Sequence, residues 1–307
     1  TRTAIRAAIE DDAHLDKPDG ARALALLSIA TDALAVMGLS QSFAARHDEG
    51  KRTLTRSVRL ARIVGEPRLL SVALGSLAFA LQRDARLDAA KAAYEEALEA
   101  AERAGDAGSV ATTRLNLAGI AKNQGDIAAS LVHLEAAVDM GQRSGRVATL
   151  RQALLNLANL DLYLGRLVHA RASIDELGRQ REDLGPHLRA QLLSLEAEHA
   201  SLSGNHAAAE RLCAACADAW EELGRMDDAA EARLERVLAA AALRGADLRM
   251  LDAEMDRAAM ALGGGSAHRP LLLLARGRVA ALRWDERAAA SAYSEALEVA
   301  RASGERD

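Results

Sequence analysis

The sequence repeats itself at an interval of forty residues. Residues 115–145 read LNLAGIAKNQGDIAASLVHLEAAVDMGQRSG, and residues 155–185 read LNLANLDLYLGRLVHARASIDELGRQREDLG. Both tracts open with the same four residues, carry a glycine at the same internal place and close on another glycine. Self-similarity at a fixed period of this length indicates an array in which each repeat is one supersecondary element.

Glycines mark the same period along most of the chain. A glycine that adopts positive φ can end a helix, so each member of the series predicts a helix end. Proline follows three of them closely, at Pro67, Pro186 and Pro270, where a new helix can begin. The closing glycines are Gly65, Gly105, Gly145, Gly185, Gly224, Gly264 and Gly304.

A second break inside each repeat divides it into two helices, A and B. In the third repeat the break at 123–126 predicts an A helix near 107–124 and a B helix near 127–143. Small residues recur in successive B helices, which lets the paired helix approach closely. They are Gly50, Ala90, Ser130, Ala170 and Ala209 and, seven residues later, Ser57, Ala97, Ala137 and Cys216.

The composition favours helices and excludes several classes of protein. Half of the residues are hydrophobic but only 2% are aromatic, and 27% are charged. The net charge of -5 gives no general attraction to nucleic acid or anionic membranes. No apolar run approaches the roughly 18 to 20 residues of a spanning helix, and the N-terminus lacks a signal-peptide core. We expect a cytoplasmic protein with neither a nucleic-acid nor a membrane partner.

These motifs resemble the tetratricopeptide repeat (TPR) in its longer form, like that of kinesin light chains and bacterial multidomain signalling regulators. The resemblance implies an all-α fold, a right-handed superhelical α-solenoid of about seven antiparallel helix hairpins. It is carried by Leu115-Asn116-Leu117-Ala118 with Gly125-Asp126, by Leu155-Asn156-Leu157-Ala158 with Gly165-Arg166, and by Ala90, Tyr94, Ala97 and Ala289, Tyr293, Ala296 in B helices.

The predicted array covers 21–307, after an N-terminal helical remnant or linker at 1–20. Its first repeat fits less closely because Gly50 replaces the usual alanine, and the stripe near 226–262 is out of register. Without capping helices, we expect a piece of a longer polypeptide that can self-associate through apolar end faces. The expected repeats are 21–65, 66–105, 106–145, 146–185, 186–224, 225–264 and 265–304.

The candidate binding residues lie on the A helices, which stacked hairpins place on the concave side. Asn116 and Asn156 occupy corresponding positions, with Ser76 one repeat earlier. In kinesin light chains and the peptide-pheromone receptors of Gram-positive bacteria, similar repeats use an Asn there to bond a peptide main chain, and the resemblance implies that role here. These amides could equally bond a neighbouring helix or face water. The whole predicted groove is Ser76, Phe79, Arg83, Asn116, Gly119, Lys122, Asn123, Asn156, Asn159 and Tyr163.

The remaining reactive residues fit packing better than chemistry. Cys213 and Cys216 form a C-x-x-C motif, but inside a B helix at positions that favour buried small residues, so core packing is preferred over zinc or redox chemistry. Tyr94 and Tyr293 are expected in the core, whereas Trp220 and Trp284 could pack or be exposed. The histidines are scattered and no phosphate loop occurs. We expect no catalytic residue, no cofactor and no metal.

The sequence therefore predicts a non-catalytic scaffold that binds an extended protein or peptide segment in its groove. The resemblance suggests the sensor or interaction region of a larger bacterial signalling or regulatory protein. The alternative is a small-molecule effector sensor in the groove of a transcriptional activator. A closed pocket lined by aromatic residues would favour the small molecule, and an open polar channel would favour the peptide.

Overall fold

The computed structural model of the chain describes residues 20–262 and 267–303. Within these ranges the chain forms α-helices, one 3-10 turn at Arg181–Asp183, and no strand. The helices are α1 Ala21–Phe43, α2 His47–Val64, α3 Pro67–Arg83, α4 Leu87–Arg103, α5 Ala107–Asn123, α6 Ile127–Ser144, α7 Val147–Tyr163, α8 Leu167–Arg179, α9 Pro186–Leu202, α10 His206–Glu222, α11 Met226–Ala241, α12 Leu248–Ala261, α13 Arg269–Leu282 and α14 Glu286–Ser303.

Odd-numbered helices are the A helices and even-numbered helices are the B helices. Packed A–B pairs include α1–α2, α3–α4 and α5–α6, and later α9–α10, α11–α12 and α13–α14. Successive A helices also touch, as α1 and α3 do and as α11 and α13 do. The predicted all-α solenoid class is confirmed, with fourteen α-helices in the described ranges.

The chain divides into two compact units, an N-terminal unit at residues 1–153 and a C-terminal unit at residues 154–307. The boundary lies inside α7. Each unit contains hairpins of the predicted kind. The assignment of 21–307 to one array stays a prediction.

The helix ends confirm most of the predicted pattern, with one correction. Gly65 and Gly145 end α2 and α6 in the left-handed region, at φ of 75° and 66°. Gly185 does not, because a 3-10 turn and Leu184 separate it from α8, and its φ is -64°. It instead precedes Pro186, the first residue of α9. The predicted helical remnant or linker at 1–20 lies, apart from Gly20, outside the described residues. The predicted closing glycines Gly264 and Gly304 also lie outside them.

Small B-helix residues pack against the A helix of the same hairpin, as predicted. Ala90 and Ala97 are fully buried. The Ser57 hydroxyl donates to the carbonyl of Thr31 at 2.9 Å, and the Ser130 hydroxyl donates to that of Ala118 at 2.9 Å. A Cβ on Gly50 would lie 2.4 Å from Ser42 Oγ. Glycine in the first repeat therefore reflects a closer approach of its two helices.

Helix α1 corrects one expectation from the sequence. It is long and apolar enough to cross a membrane on length and composition alone. In the structure it pairs with α2 and also contacts α3, and Leu27 and Leu34 pack with Leu60 of α2. Part of its apolar surface, including Ile29 and Val36, is exposed.

The two repeat tyrosines differ in their surroundings. Tyr94 is fully buried and packs with Leu117 and Ile120 of the following A helix, which confirms its predicted core role. Tyr293 is 38% exposed, so its predicted core role is wrong. Its ring lies against Gly277 of α13, but no later A helix within the described ranges covers its other side.

Candidate functional site

The first groove lies in the N-terminal unit and has a volume of about 370 Å³. Three A helices and the loop before α7 supply most of its lining, which is largely uncharged. Its residues are Leu39, Phe43, Ser71, Val72, Gly75, Ser76, Phe79, Tyr94, Ser109, Thr112, Thr113, Asn116 and Arg146.

Aromatic rings form one end of the first groove. The Phe43 and Phe79 ring centroids are 5.7 Å apart, and the Arg83 guanidinium lies 4.8 Å above the Phe43 ring. Phe43 is 61% exposed, so this contact remains open to a ligand. Such an end can accept an apolar or aromatic group, while Asn116 supplies an amide nearby.

The second groove lies in the C-terminal unit and has a volume of about 300 Å³. Amides and carboxylates dominate its lining, supplied mainly by α7, α9 and α11. Its residues are Leu155, Asn156, Asn159, Gln191, Ser194, Leu195, Glu198, Trp220, Asp228, Glu231, Ala232 and Glu235.

The same helix positions line both grooves. The tenth residues of α3 and α5 are Ser76 and Asn116, in the first groove. Those of α7, α9 and α11 are Asn156, Leu195 and Glu235, in the second. The sixth and thirteenth positions contribute in the same way, with Val72, Thr112, Gln191 and Glu231 at the sixth and Phe79, Asn159 and Glu198 at the thirteenth.

The carboxylates of the second groove perturb one another. Burial, together with the charges of Glu231 and Glu198, raises the pKa of Glu235 to about 7. Burial also raises the pKa of Glu231, against the opposing effect of His268, whose Nδ1 lies 3.8 Å from a carboxylate oxygen. The groove therefore holds proton-binding capacity near neutral pH.

The predicted binding residues separate into three sets. Ser76, Phe79 and Asn116 lie together in the first groove, and Asn156 and Asn159 lie together in the second. The prediction that Asn116 and Asn156 form one binding surface concerns residues of different units, and it stays a prediction.

The other predicted residues do not line either groove. Four of them lie in the last turns of A helices, and Tyr163 is 74% exposed there. Gly119, at the thirteenth position of α5, is partly buried. The residues in question are Arg83, Gly119, Lys122, Asn123 and Tyr163.

The acidic character of the second groove was not predicted from the sequence. The predicted groove face was almost uncharged, because the prediction extended along the repeats only as far as the helix that carries Asn156 and Asn159. Continuing the register by 39 and then 40 residues from Asn156 reaches Leu195 and Glu235, so the signal was present. The closing glycine spacing changes from 40 to 39 residues between Gly185 and Gly224, which shifts the register at this point. Phe43 was not predicted because α1 belongs to the first repeat, which fits the motif less closely.

The two cysteines lie behind the second groove rather than in it. Cys213 and Cys216 are both free and buried in α10, as the packing interpretation predicts. Burial raises the pKa of both thiols, that of Cys216 to about 11. Cys216 Sγ lies 3.1 Å from Ser194 Oγ, which in turn accepts from Trp220 Nε1 at 3.3 Å. These contacts fix Ser194 and Trp220 in the wall of the groove.

Comparisons with known proteins give a fold and no closer relative. No protein-family model matches the sequence, and no curated protein matches it. BtubC from P. vanneervenii has a similar structure, with a TM-score of 0.60 and 19% identity over 73% of this chain and 90% of that chain. A tetratricopeptide repeat protein from Parabacteroides merdae gives 0.60 and 16% over 88% and 93%. Aspartyl phosphate phosphatase F from Bacillus subtilis gives 0.60 and 11% over 89% and 74%.

At these identities the likeness reports on the fold. The matched structures include kinesin-light-chain-type TPR-like repeats from Podosopora anserina, with a TM-score of 0.55, 14% identity, and coverage of 65% of this chain and 98% of that chain. Together with the hairpins and the shared register of the A helices, they confirm the resemblance seen in the sequence. The chain has the fold of tetratricopeptide-repeat proteins.

Proposed function

We propose that this chain is a non-catalytic scaffold whose A helices bind a segment of another protein or a peptide. One observation carries the proposal: corresponding positions of successive A helices line an open groove in each unit. Side chains repeated at regular intervals suit an extended segment, which presents its own groups at regular intervals.

Amides in the grooves support contacts to a polypeptide main chain. Asn116 lines the first groove, and Asn156 and Asn159 line the second. Each amide offers two donors and an acceptor, so it can bond a peptide group whatever the adjoining side chain. The structural alternative, in which these amides bond neighbouring helices, leads to a different result in the following experiment.

The test is selection of random displayed peptides on the purified chain, followed by fluorescence anisotropy with the enriched peptides. We expect Asn116→Ala combined with Asn156→Ala to weaken binding by about 1 to 3 kcal/mol, with little change in the unfolding midpoint. Gln142→Ala is the matched control, because Gln142 is an exposed amide on the B helix α6. A double variant that melts markedly lower and binds as well as the wild type would assign the amides a structural role. A library without any enriched peptide would contradict the proposal.

The first groove supports a second candidate, a small-molecule effector. Its lining includes the rings of Phe43, Phe79 and Tyr94, more aromatic surface than the sequence predicted. Thermal-shift screening of small aromatic and apolar compounds tests this candidate. A compound that stabilises the wild type but not a Phe79→Ala variant would support the effector over the peptide.

We also propose a cellular role: the chain acts as the sensor or interaction region of a larger bacterial regulator in the cytoplasm. The support is the resemblance of its long repeats to those of such regulators. A ligand that prefers one curvature of the hairpins would then favour one state of an attached domain. The complete reading frame tests this role, because an adjoining kinase, ATPase or DNA-binding domain is expected. Its absence would restrict the proposal to a free-standing scaffold.

A further inference from the structure

The second groove has a marked charge imbalance. Four carboxylates line it, from Glu198 on α9 and from Asp228, Glu231 and Glu235 on α11. Among the described residues that line it there is no lysine or arginine. Burial and then the charges of Glu231 and Glu198 raise the pKa of Glu235 to about 7, so its proton is retained up to neutral pH.

Arginines near the groove are directed elsewhere. Arg233 donates to Glu254 and Glu221, and Arg236 donates to Glu210 and Glu254. At the groove, Asp228 is paired with Arg225 at 2.8 Å in the same turn, and Glu231 faces the imidazole of His268. Asp228 and Glu231 therefore each have a basic side chain as a neighbour. Glu235 instead lies among other carboxylates.

A second observation points to a ligand that donates hydrogen bonds. The side-chain oxygen of Gln191 is buried and has no hydrogen-bond partner among the described residues. Gln191 lines the groove at the sixth position of α9, the position that Glu231 holds in α11. A buried acceptor without a donor is costly, and a donor entering the groove would remove that cost.

The groove also offers a ring beside its carboxylates. Trp220 is 5% exposed, and its indole is held by the bond from Nε1 to Ser194. The Arg225 guanidinium already lies 5.8 Å from the centroid of this ring. A planar cation that enters the groove beside it can donate to carboxylate and amide oxygens. The volume of about 300 Å³ is at the small end for ligand pockets, which suits a single side chain.

We propose that the second groove binds the cationic side chain of an arginine or lysine in the bound segment, with Glu231 and Glu235 as its main counter-charges and Gln191 as an acceptor. This inference rests on the proposed scaffold function, because the cation is carried by a polypeptide. Asn156 and Asn159, on the α7 wall, are then in place to bond the main chain next to that side chain.

The two tryptophans of the C-terminal unit allow a direct test. Trp220 lines the groove, whereas Trp284 is 90% exposed at a turn elsewhere and serves as an internal reference. The probe is the blocked tripeptide acetyl-Gly-Arg-Gly-amide, titrated at pH 8 into the full chain while the indole N–H signals are followed by NMR. We expect the Trp220 signal to shift with the probe and the Trp284 signal to stay in place.

A neutral probe and a variant with neutral side chains test whether charge is responsible for binding. The citrulline counterpart of the probe keeps the shape and loses the charge, and we expect it to bind about tenfold more weakly or worse. The combined Glu231→Gln and Glu235→Gln variant is expected to lose a similar factor for the arginine probe. Glu222→Gln, an exposed change on α10, is the matched control and is expected to have no effect. Equal binding of the two probes, or an unchanged affinity in the double Gln variant, would overturn the inference.

Two further outcomes separate this inference from its premise. Spermidine is titrated in parallel, and a shift with spermidine but not with the arginine peptide would make the groove a free polyamine site and overturn the side-chain assignment. Peptides selected on the chain that carry no basic residue and bind the double Gln variant equally well would also overturn it, while the scaffold function would stand. Failure to select any peptide, with the arginine probe still shifting Trp220, would count against the scaffold alone.

Discussion

Arg233 of α11 donates to the carboxylate of Glu254 of α12 at 2.6 Å, and both side chains are buried, at 8% and 5% exposure. Glu221 of α10 accepts from the same guanidinium. On this side of α11 the guanidinium of Arg233 therefore meets carboxylates from both neighbouring helices, α10 and α12. On the groove side of the same helix, Glu231 and Glu235 lie among other carboxylates. The contrast separates charges that hold the fold together from charges that are available to a partner.

The buried pair predicts a large loss of stability when one partner is removed. Arg233→Met leaves Glu254 with less compensation in the interior, and we expect the free energy of unfolding to fall by about 3 to 5 kcal/mol. Arg62→Met is the control, because Arg62 pairs with Glu96 at 2.7 Å between exposed side chains and should cost about 0 to 1 kcal/mol. Urea denaturation measures both. Equal effects of the two changes would contradict the assigned role of the buried pair.

The turn inside the second hairpin predicts a stabilising change. Ala85 has a φ of 55°, in the left-handed region where Gly125 and Gly165 occupy the corresponding turns of later repeats. An L-residue there costs roughly 1 to 2 kcal/mol, which glycine avoids. We expect Ala85→Gly to raise the unfolding free energy by up to about 1 kcal/mol after its entropy cost. The control Ala89→Gly, in the helix α4, should lower the unfolding free energy. A loss of stability in Ala85→Gly would show that the backbone of Ala85 is not strained.

The close approach in the first hairpin predicts that a single methyl group is not tolerated. A Cβ at Gly50 would lie 2.4 Å from Ser42 Oγ and 2.8 Å from the carbonyl oxygen of Gly38. We expect Gly50→Ala to destabilise the chain by about 1 to 3 kcal/mol, because α1 and α2 must move apart. Gly119→Ala is the matched control in a helix where a Cβ meets no atom within 4 Å, and it should stabilise by about 0.5 to 1 kcal/mol. Thermal unfolding that ranks the two variants the other way would rule out the close contact.

The raised pKa of Glu235 predicts a pH-dependent stability. The group takes up its proton at a higher pH in the folded chain, about 7, than its ordinary value of 4.5, so its contribution to stability falls as pH rises between these values. Its charged neighbours are Glu231 on the same helix and Glu198 on α9, and its own charge acts on Cys213 and Cys216 of α10.

Glu235→Gln should therefore unfold at a higher denaturant concentration than the wild type at pH 8 and at a similar one near pH 4.5. Urea midpoints at both pH values measure the difference. Parallel pH profiles for the two proteins would show that Glu235 titrates normally. Glu222→Gln again provides the exposed control.

The buried thiols predict slow labelling in the native state. Cys213 and Cys216 are 3% and 2% exposed, and burial raises the pKa of both, so little thiolate forms at pH 8. We expect a disulfide reagent to label both cysteines at the rate of unfolding and immediately in denaturant. Rapid labelling of the folded chain would show that the α10 interior opens locally.

The repeat pattern predicted the hairpins well because helix breaks and small B-helix residues depend on local sequence. The predicted limits of the third repeat's helices, 107–124 and 127–143, lie within one residue of Ala107–Asn123 and Ile127–Ser144. Gly185 was assigned wrongly because the preceding 3-10 turn depends on the last turn of α8, which no single-residue signal marks.

The candidate site was only partly predictable. Local register identified Asn116, Asn156 and Asn159, but the lining of the second groove requires side chains from helices far apart in sequence. Trp220 enters it from a B helix, and no A-helix pattern could indicate that. The exposure of Tyr293 likewise depends on whether a further helix covers it, which the motif itself does not encode.

The shared sixth, tenth and thirteenth positions also bear on how such a chain can diversify. A substitution there alters the wall of a groove, whereas the small residues between paired helices are held by contacts such as that of Gly50 with Ser42. Selection can therefore exchange Asn for Glu, as between Asn156 and Glu235, and acquire a new ligand preference while the scaffold beneath keeps its architecture.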